Sequence, residues 1–146
     1  MDLAMAACAD NGLTNPNPVK LLSEIWAALN LENGIMGLIG DDKLEAGILL
    51  RVDSMWYSEE KTLLERAIFV HPDYRKSGEH KVSRARLLCE FAKDASKSLA
   101  LPLVIGVLST QRVDAKIRLY ERSFGEPAGA YWLYGAKTGL PHEGTN

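Results

Sequence analysis

Cysteine is scarce in this chain. Only Cys8 and Cys89 occur among 146 residues, and neither belongs to a Cys-x-x-Cys or has a cysteine or histidine partner nearby. A disulfide scaffold is thereby excluded, and no metal site is expected. Long hydrophobic runs are missing too. Stretches such as Leu101–Leu108 fall far short of the ~20 residues that a spanning helix needs. Leu3–Ala9 is apolar, but Asp2 precedes it and no basic residue does, which is the wrong start for a secretory signal. The expected setting is the cytoplasm, with both thiols reduced and no membrane partner. Neither sign of charge dominates: 17 lysines and arginines stand against 19 aspartates and glutamates, for a net charge of -2. Such a balance exerts no general pull toward nucleic acid, which is not an expected partner. Walker and G-x-G-x-x-G phosphate loops are absent, as are repeats and low-complexity tracts.

What is present is an ordinary globular composition, 47% apolar and 25% charged. The length suits one domain, read as residues 1–136, with a polar tail over 137–146. Asp2–Asp10 reads as a short helix stopped by Asn11-Gly12. Asn17-Pro18 pairs an N-cap with a proline at the first helical position. Val19, Leu22, Ile25, Trp26 and Leu29 then recur at helical spacing and predict one apolar face. Ile35–Ile39 and Leu44–Met55, joined by the turn Gly40–Lys43, predict a hairpin. Leu63–Val70 is a third strand, stopped by His71-Pro72 because proline cannot donate to a ladder. A long helix follows over Ser83–Leu99. Leu101–Leu108 reads as a buried, parallel strand with that helix as its crossover. Val113, Ile117, Tyr120 and Phe124 share one face of another helix, and Gly129–Ala136 reads as a last strand. The fold class is therefore mixed α/β.

The chemistry concentrates between Leu63 and Gly125. A strand ends in Val70-His71-Pro72-Asp73-Tyr74-Arg75-Lys76-Ser77-Gly78, and the basic loop then feeds a long helix. Free backbone N–H groups, the positive helix end and the cations Arg75, Lys76, Lys81, Arg84 and Arg86 make that junction suited to a phosphate-bearing ligand. A solvated basic turn is the plainer alternative.

Three features together resemble the GNAT superfamily of acetyl-CoA-dependent N-acyltransferases. They are Phe69-Val70-His71-Pro72-Asp73-Tyr74-Arg75, the long helix with the strand Leu103–Leu108 after it, and Arg118-Leu119-Tyr120-Glu121-Arg122. The resemblance covers roughly Gly34 to Tyr134. It is also similar to phage and prophage members, which share an R-K-S loop and a G-x-P-A-G-A ending. It implies a mostly antiparallel twisted sheet with a parallel pair at the cofactor site and helices on both faces. The family fold usually opens with a β-strand, whereas this chain starts almost directly in its first helix, so that strand is either absent or lies upstream of Met1. Other departures are the turn Arg75–His80, which ends in histidine where a small residue is usual, a gap to Leu87-Leu88 about four residues longer than usual, and Phe124-Gly125 in reversed order.

The resemblance implies direct attack of a primary amine on the acetyl thioester of acetyl-CoA. It assigns the pantetheine arm to the backbone of Ile68, Phe69 and Val70. The pyrophosphate falls to the loop and helix start, Arg75, Lys76, Ser77, Gly78, Lys81, Ser83 and Arg84. Tyr120 becomes the acid that protonates the leaving sulfur, its alternative being to complete the helix's apolar face. Glu65 is the candidate base, with pairing to Arg66 or a neighbouring strand as its alternative. The acceptor is a small-molecule or peptide amine. Cys89 reads as a small core residue. Trp56-Tyr57 and Tyr131-Trp132-Tyr134 read as core and sheet packing, with an acceptor pocket or a homodimer seam as alternatives. A rival to the enzyme is a GNAT-fold binding or interaction module without catalytic activity.

Overall fold

The computed structural model describes residues 1–12, 14–76, 82–109 and 112–135. The chain opens with two helices, α1 (Asp2–Asn11) and α2 (Pro18–Leu29). Local signals end and begin them. Gly12 takes the left-handed conformation (φ 70°) and returns its N–H to the Cys8 carbonyl, closing α1. The Asn17 side chain accepts from the Lys20 N–H at 3.1 Å, capping α2 with Pro18 in its first turn.

Three antiparallel strands follow: β1 (Gly34–Ile39), β2 (Ala46–Ser54) and β3 (Lys61–Val70). The expected hairpin is present, with Ile39 opposite Ala46. β3 stops at Val70, and Pro72–Tyr74 forms a single 3₁₀ turn. The crossover helix α3 (Arg84–Leu99) is capped by Ser83, whose hydroxyl accepts from the Arg86 N–H at 3.2 Å. It returns the chain to β4 (Leu103–Val104), which pairs parallel with β3, and α4 (Val113–Phe124) is the last helix or strand among the described residues. The sheet order is β1-β2-β3-β4.

Helices cover both faces. A Cβ placed on Gly37 would lie 2.8 Å from the Phe91 ring, so α3 sits hard against the Ile48 side of the sheet. On the other side, Gly47 approaches Leu3 of α1 and Gly34 approaches Ala28 of α2. The core lies under α3: Ile48, Leu50, Leu63 and Leu88 are fully buried, with Ala46, Ala92 and Ala95 filling between them. Burial of each large side chain contributes about 1.5–3 kcal/mol. Among the described residues no helix is long and apolar enough to cross a membrane.

Several expectations fail here for physical reasons. The parallel strand read over Leu101–Leu108 pairs only at Leu63/Leu103 and Leu64/Val104, and its residues alternate between half-buried and exposed. The last strand read over Gly129–Ala136 does not form over residues 129–135. A strand needs an edge to pair with, and β4 is too short to offer one. Tyr131, Trp132 and Tyr134 are consequently exposed and not packed in a sheet. Trp56 and Tyr57 are also exposed and meet each other edge to face at 5.4 Å. The apolar face read on α2 points mostly outward: Ala28 is buried, while Val19, Leu22, Trp26 and Leu29 are exposed. The tail 137–146 lies outside the described residues.

Candidate active site

The site begins with an irregularity in β3. Leu49 of β2 lies opposite Ala67, but its neighbour Leu50 lies opposite Glu65, so Arg66 is an extra residue in β3. Such a bulge bends the strand that carries it. The parallel ladder to β4 ends at Leu64/Val104, immediately before the bulge. Among the described residues, the β3 edge from Glu65 to Val70 has no strand partner on that side. The parallel pairing thus stops there, and a cleft lies along the end of β3 beyond it.

The cleft has a volume of about 690 Å³, counting the space open to solvent. Its walls are the end of β3, the start of α3 and one face of α4. Of the residues singled out from the sequence, Ile68, Phe69, Val70, Arg75, Ser83, Arg84 and Tyr120 line it. Lys76 is described but does not line the cleft, and Ser77, Gly78 and Lys81 lie outside the described residues.

Two of the cations have built-in partners. Arg84 pairs with Glu45 at 2.6 Å, donates to the Tyr74 carbonyl at 3.1 Å and stacks its guanidinium 4.9 Å from the Tyr74 ring centre. These contacts tie the start of α3 to the loop before it, so Arg84 positions the cleft wall. Arg75 donates from Nε to the Val70 carbonyl at 3.0 Å, with its guanidinium 5.4 Å from the Phe69 ring centre. It folds the loop back over the end of β3.

Sequence reasoning missed two cations. Arg112 and Lys116 line the cleft from α4, and Lys116 donates to the Ser109 hydroxyl at 2.8 Å. The signal was present as a spacing: 112, 116 and 120 recur every fourth residue, which puts two cations and Tyr120 on one ridge of the helix. Arg112 also stands at the N-cap of α4 in the left-handed conformation (φ 52°), with no side-chain cap bond.

Tyr120, on the cleft wall, is brought together with Glu65, which does not itself line the cleft. Glu65 sits one residue past the last parallel pair, and its carboxylate accepts from the Gly106 backbone N–H. A side chain thereby bridges the strands where the ladder no longer does. Burial raises the Glu65 carboxyl to about 7, the Gly106 bond opposing the rise. Burial, followed by the charges of Glu65 and Cys89, holds the Tyr120 phenol well above its ordinary value. Its ring packs edge to face on Phe124 at 5.7 Å. Cys89, also at this junction, is fully buried; burial pushes its thiol up, and the neighbouring Ser123 hydroxyl acts the other way. That agrees with a core residue and not a nucleophile. Among the described residues no group of three histidine, cysteine or acidic side chains is arranged to hold a metal ion.

Two solved structures have a similar fold. One is an aminoglycoside acetyltransferase from an uncultured soil metagenomic sample, solved in complex with trehalose. It has a TM-score of 0.61 and 16% identity over 93% of this chain and 85% of that one. The other is a probable acetyltransferase, with a TM-score of 0.50 and 15% identity over 85% and 80% of the two chains. No family model matches the sequence, and no curated protein matches it.

Proposed function

We propose that this chain is a GNAT-type N-acetyltransferase that moves an acetyl group from acetyl-CoA to a primary amine. One observation carries the reading: the cleft joins a β3 edge that has no strand partner among the described residues, a cluster of cations and the Tyr120 side chain. These residues fit the cofactor. The open edge at Ile68, Phe69 and Val70 offers main-chain hydrogen bonds to an amide-bearing arm. Arg75, Arg112 and Lys116, with the start of α3 at Ser83, offer charge and N–H groups to a pyrophosphate. When bound, acetyl-CoA supplies an acyl group already activated as a thioester.

The chain's own residues then divide the proton work. Tyr120 keeps its proton throughout the physiological range and serves as the hydrogen-bond donor to the leaving sulfur. Because its acidity is weaker than that of an ordinary phenol, it stabilises the developing thiolate by hydrogen bonding more than by full transfer. Glu65, raised to about 7, is divided between its two forms near neutrality, where a general base is most effective. The proposal extends to a small-molecule or peptide amine as acceptor and to the cytoplasm as the setting.

Thermal melts with acetyl-CoA test the binding. Ligand at 100 times its dissociation constant adds about 2.7 kcal/mol of stability. The rise should persist in Tyr120→Phe and vanish in the double variant Arg112→Ala/Lys116→Ala. Thiol release with a panel of amines, aminoglycosides included, tests turnover. Tyr120→Phe should lower kcat by about 100-fold with KM for acetyl-CoA unchanged. Absence of any melt shift at millimolar acetyl-CoA and coenzyme A would refute the enzyme reading.

A further inference from the structure

Helix α2 turns its most apolar side away from the sheet. Glu24 faces inward and pairs with Arg51 of β2 at 2.6 Å, and Ala28 is buried. Outward stand Val19, Leu22, Trp26 and Leu29, with 79, 50, 64 and 53% of their surface exposed. Leu31, just past the helix, adds an apolar side chain that is 74% exposed. Together these five expose on the order of 500–600 Å² of apolar surface, as much as the largest patch of a typical monomer and most of what one partner contributes to a standard interface.

Three observations say what covers this stripe. It carries no charge: the helix has only Lys20 and Glu24, and both lie off it. A helix lying on a lipid surface flanks its apolar side with several cations, and α2 has a single lysine. The spacing of the stripe is 3-4-3, which reads the same from either end. When two copies of such a helix run antiparallel about a two-fold axis, a register with Leu22 opposite Trp26 also sets Val19 opposite Leu29. Both contacts then occur twice, as an isologous interface requires.

We infer that α2 is the seam of a two-fold homodimer, packing antiparallel on α2 of a second copy. The seam lies on the sheet face opposite α3 and α4, so the inference does not depend on the acyl-transfer reading.

Sedimentation velocity on the whole chain, up to about 200 μM, tests it. The wild type should sediment at twice the 16.1 kDa of one chain. Two charge variants, Leu22→Glu/Trp26→Glu and Leu22→Lys/Trp26→Lys, should each associate at least roughly 100-fold more weakly. Circular dichroism should show both folded, because these side chains face solvent in the single chain. Mixing the two should restore a dimer, now weakened by salt. A monomeric wild type overturns the inference, as does a dimer that survives in either variant alone. A mixture that stays monomeric overturns the pairing of α2 on α2.

Discussion

Replacing Glu65 with glutamine isolates the cost of holding its charge inside the protein. In an unfolded chain the carboxyl titrates near 4.5; in the folded chain it titrates at about 7. Between those values the folded state carries more bound proton than the unfolded one. Stability therefore falls as pH rises through this window, and the loss is complete above about pH 7. At 1.36 kcal/mol per unit, the shift amounts to at most about 3 kcal/mol. Glutamine keeps an oxygen that can accept from Gly106 and removes the ionisation. Glu65→Gln should thus exceed the wild type by about 1 kcal/mol or less at pH 5 and by up to about 3 kcal/mol at pH 8. For a chain of this length that is on the order of 10 °C in melting temperature. Melts of both proteins at half-unit steps from pH 5 to 8 give the difference, in which every other titrating group cancels. Parallel curves would refute the reasoning, because they would mean that Glu65 ionises as it does in water. The candidate base would then lose its tuning.

Two further substitutions probe the frame. Gly37→Ala puts a methyl group 2.8 Å from the Phe91 ring. It should lower stability by about 1–3 kcal/mol in urea unfolding, and Phe91→Leu in the same chain should recover part of the loss. Ser83→Ala removes the hydroxyl that accepts from the Arg86 N–H. It should cost about 1 kcal/mol in the same assay, as a lost helix cap does.

Signals confined to a few neighbouring residues were readable in advance. Asn17-Pro18, Ser83 and His71-Pro72 mark where α2 and α3 begin and β3 ends, because caps and prolines act within one turn of chain. Tyr120 and the residues Ile68–Val70, which line the cleft, were singled out through a resemblance resting on motif order. What escaped depends on partners distant in sequence. Helical spacing groups Val19, Leu22, Trp26 and Leu29 on one side of α2, but it does not say whether that side meets the sheet or the solvent. The apolar and aromatic character of Gly129–Ala136 favours a strand without providing an edge to receive one. The meeting of Glu65 with Tyr120 and Cys89 is a product of three elements, β3, α3 and α4, and no local pattern announces it. Arg112 and Lys116 were within reach, since their spacing from Tyr120 is visible in the sequence.

The bulge at Arg66 changes parity. Leu63 and Glu65 carry odd numbers and Ile68 and Val70 even ones, yet Leu63, Ile68 and Val70 all join the core beneath α3. One extra residue lets both halves of the strand present to the same side. The chemical identity of residue 66 matters little to this, but its existence is indispensable. Deleting it would straighten the strand and rotate everything beyond it by half a turn, bringing Phe69 where Ile68 and Val70 now stand. In this part of the molecule the count of residues is under tighter constraint than their kind.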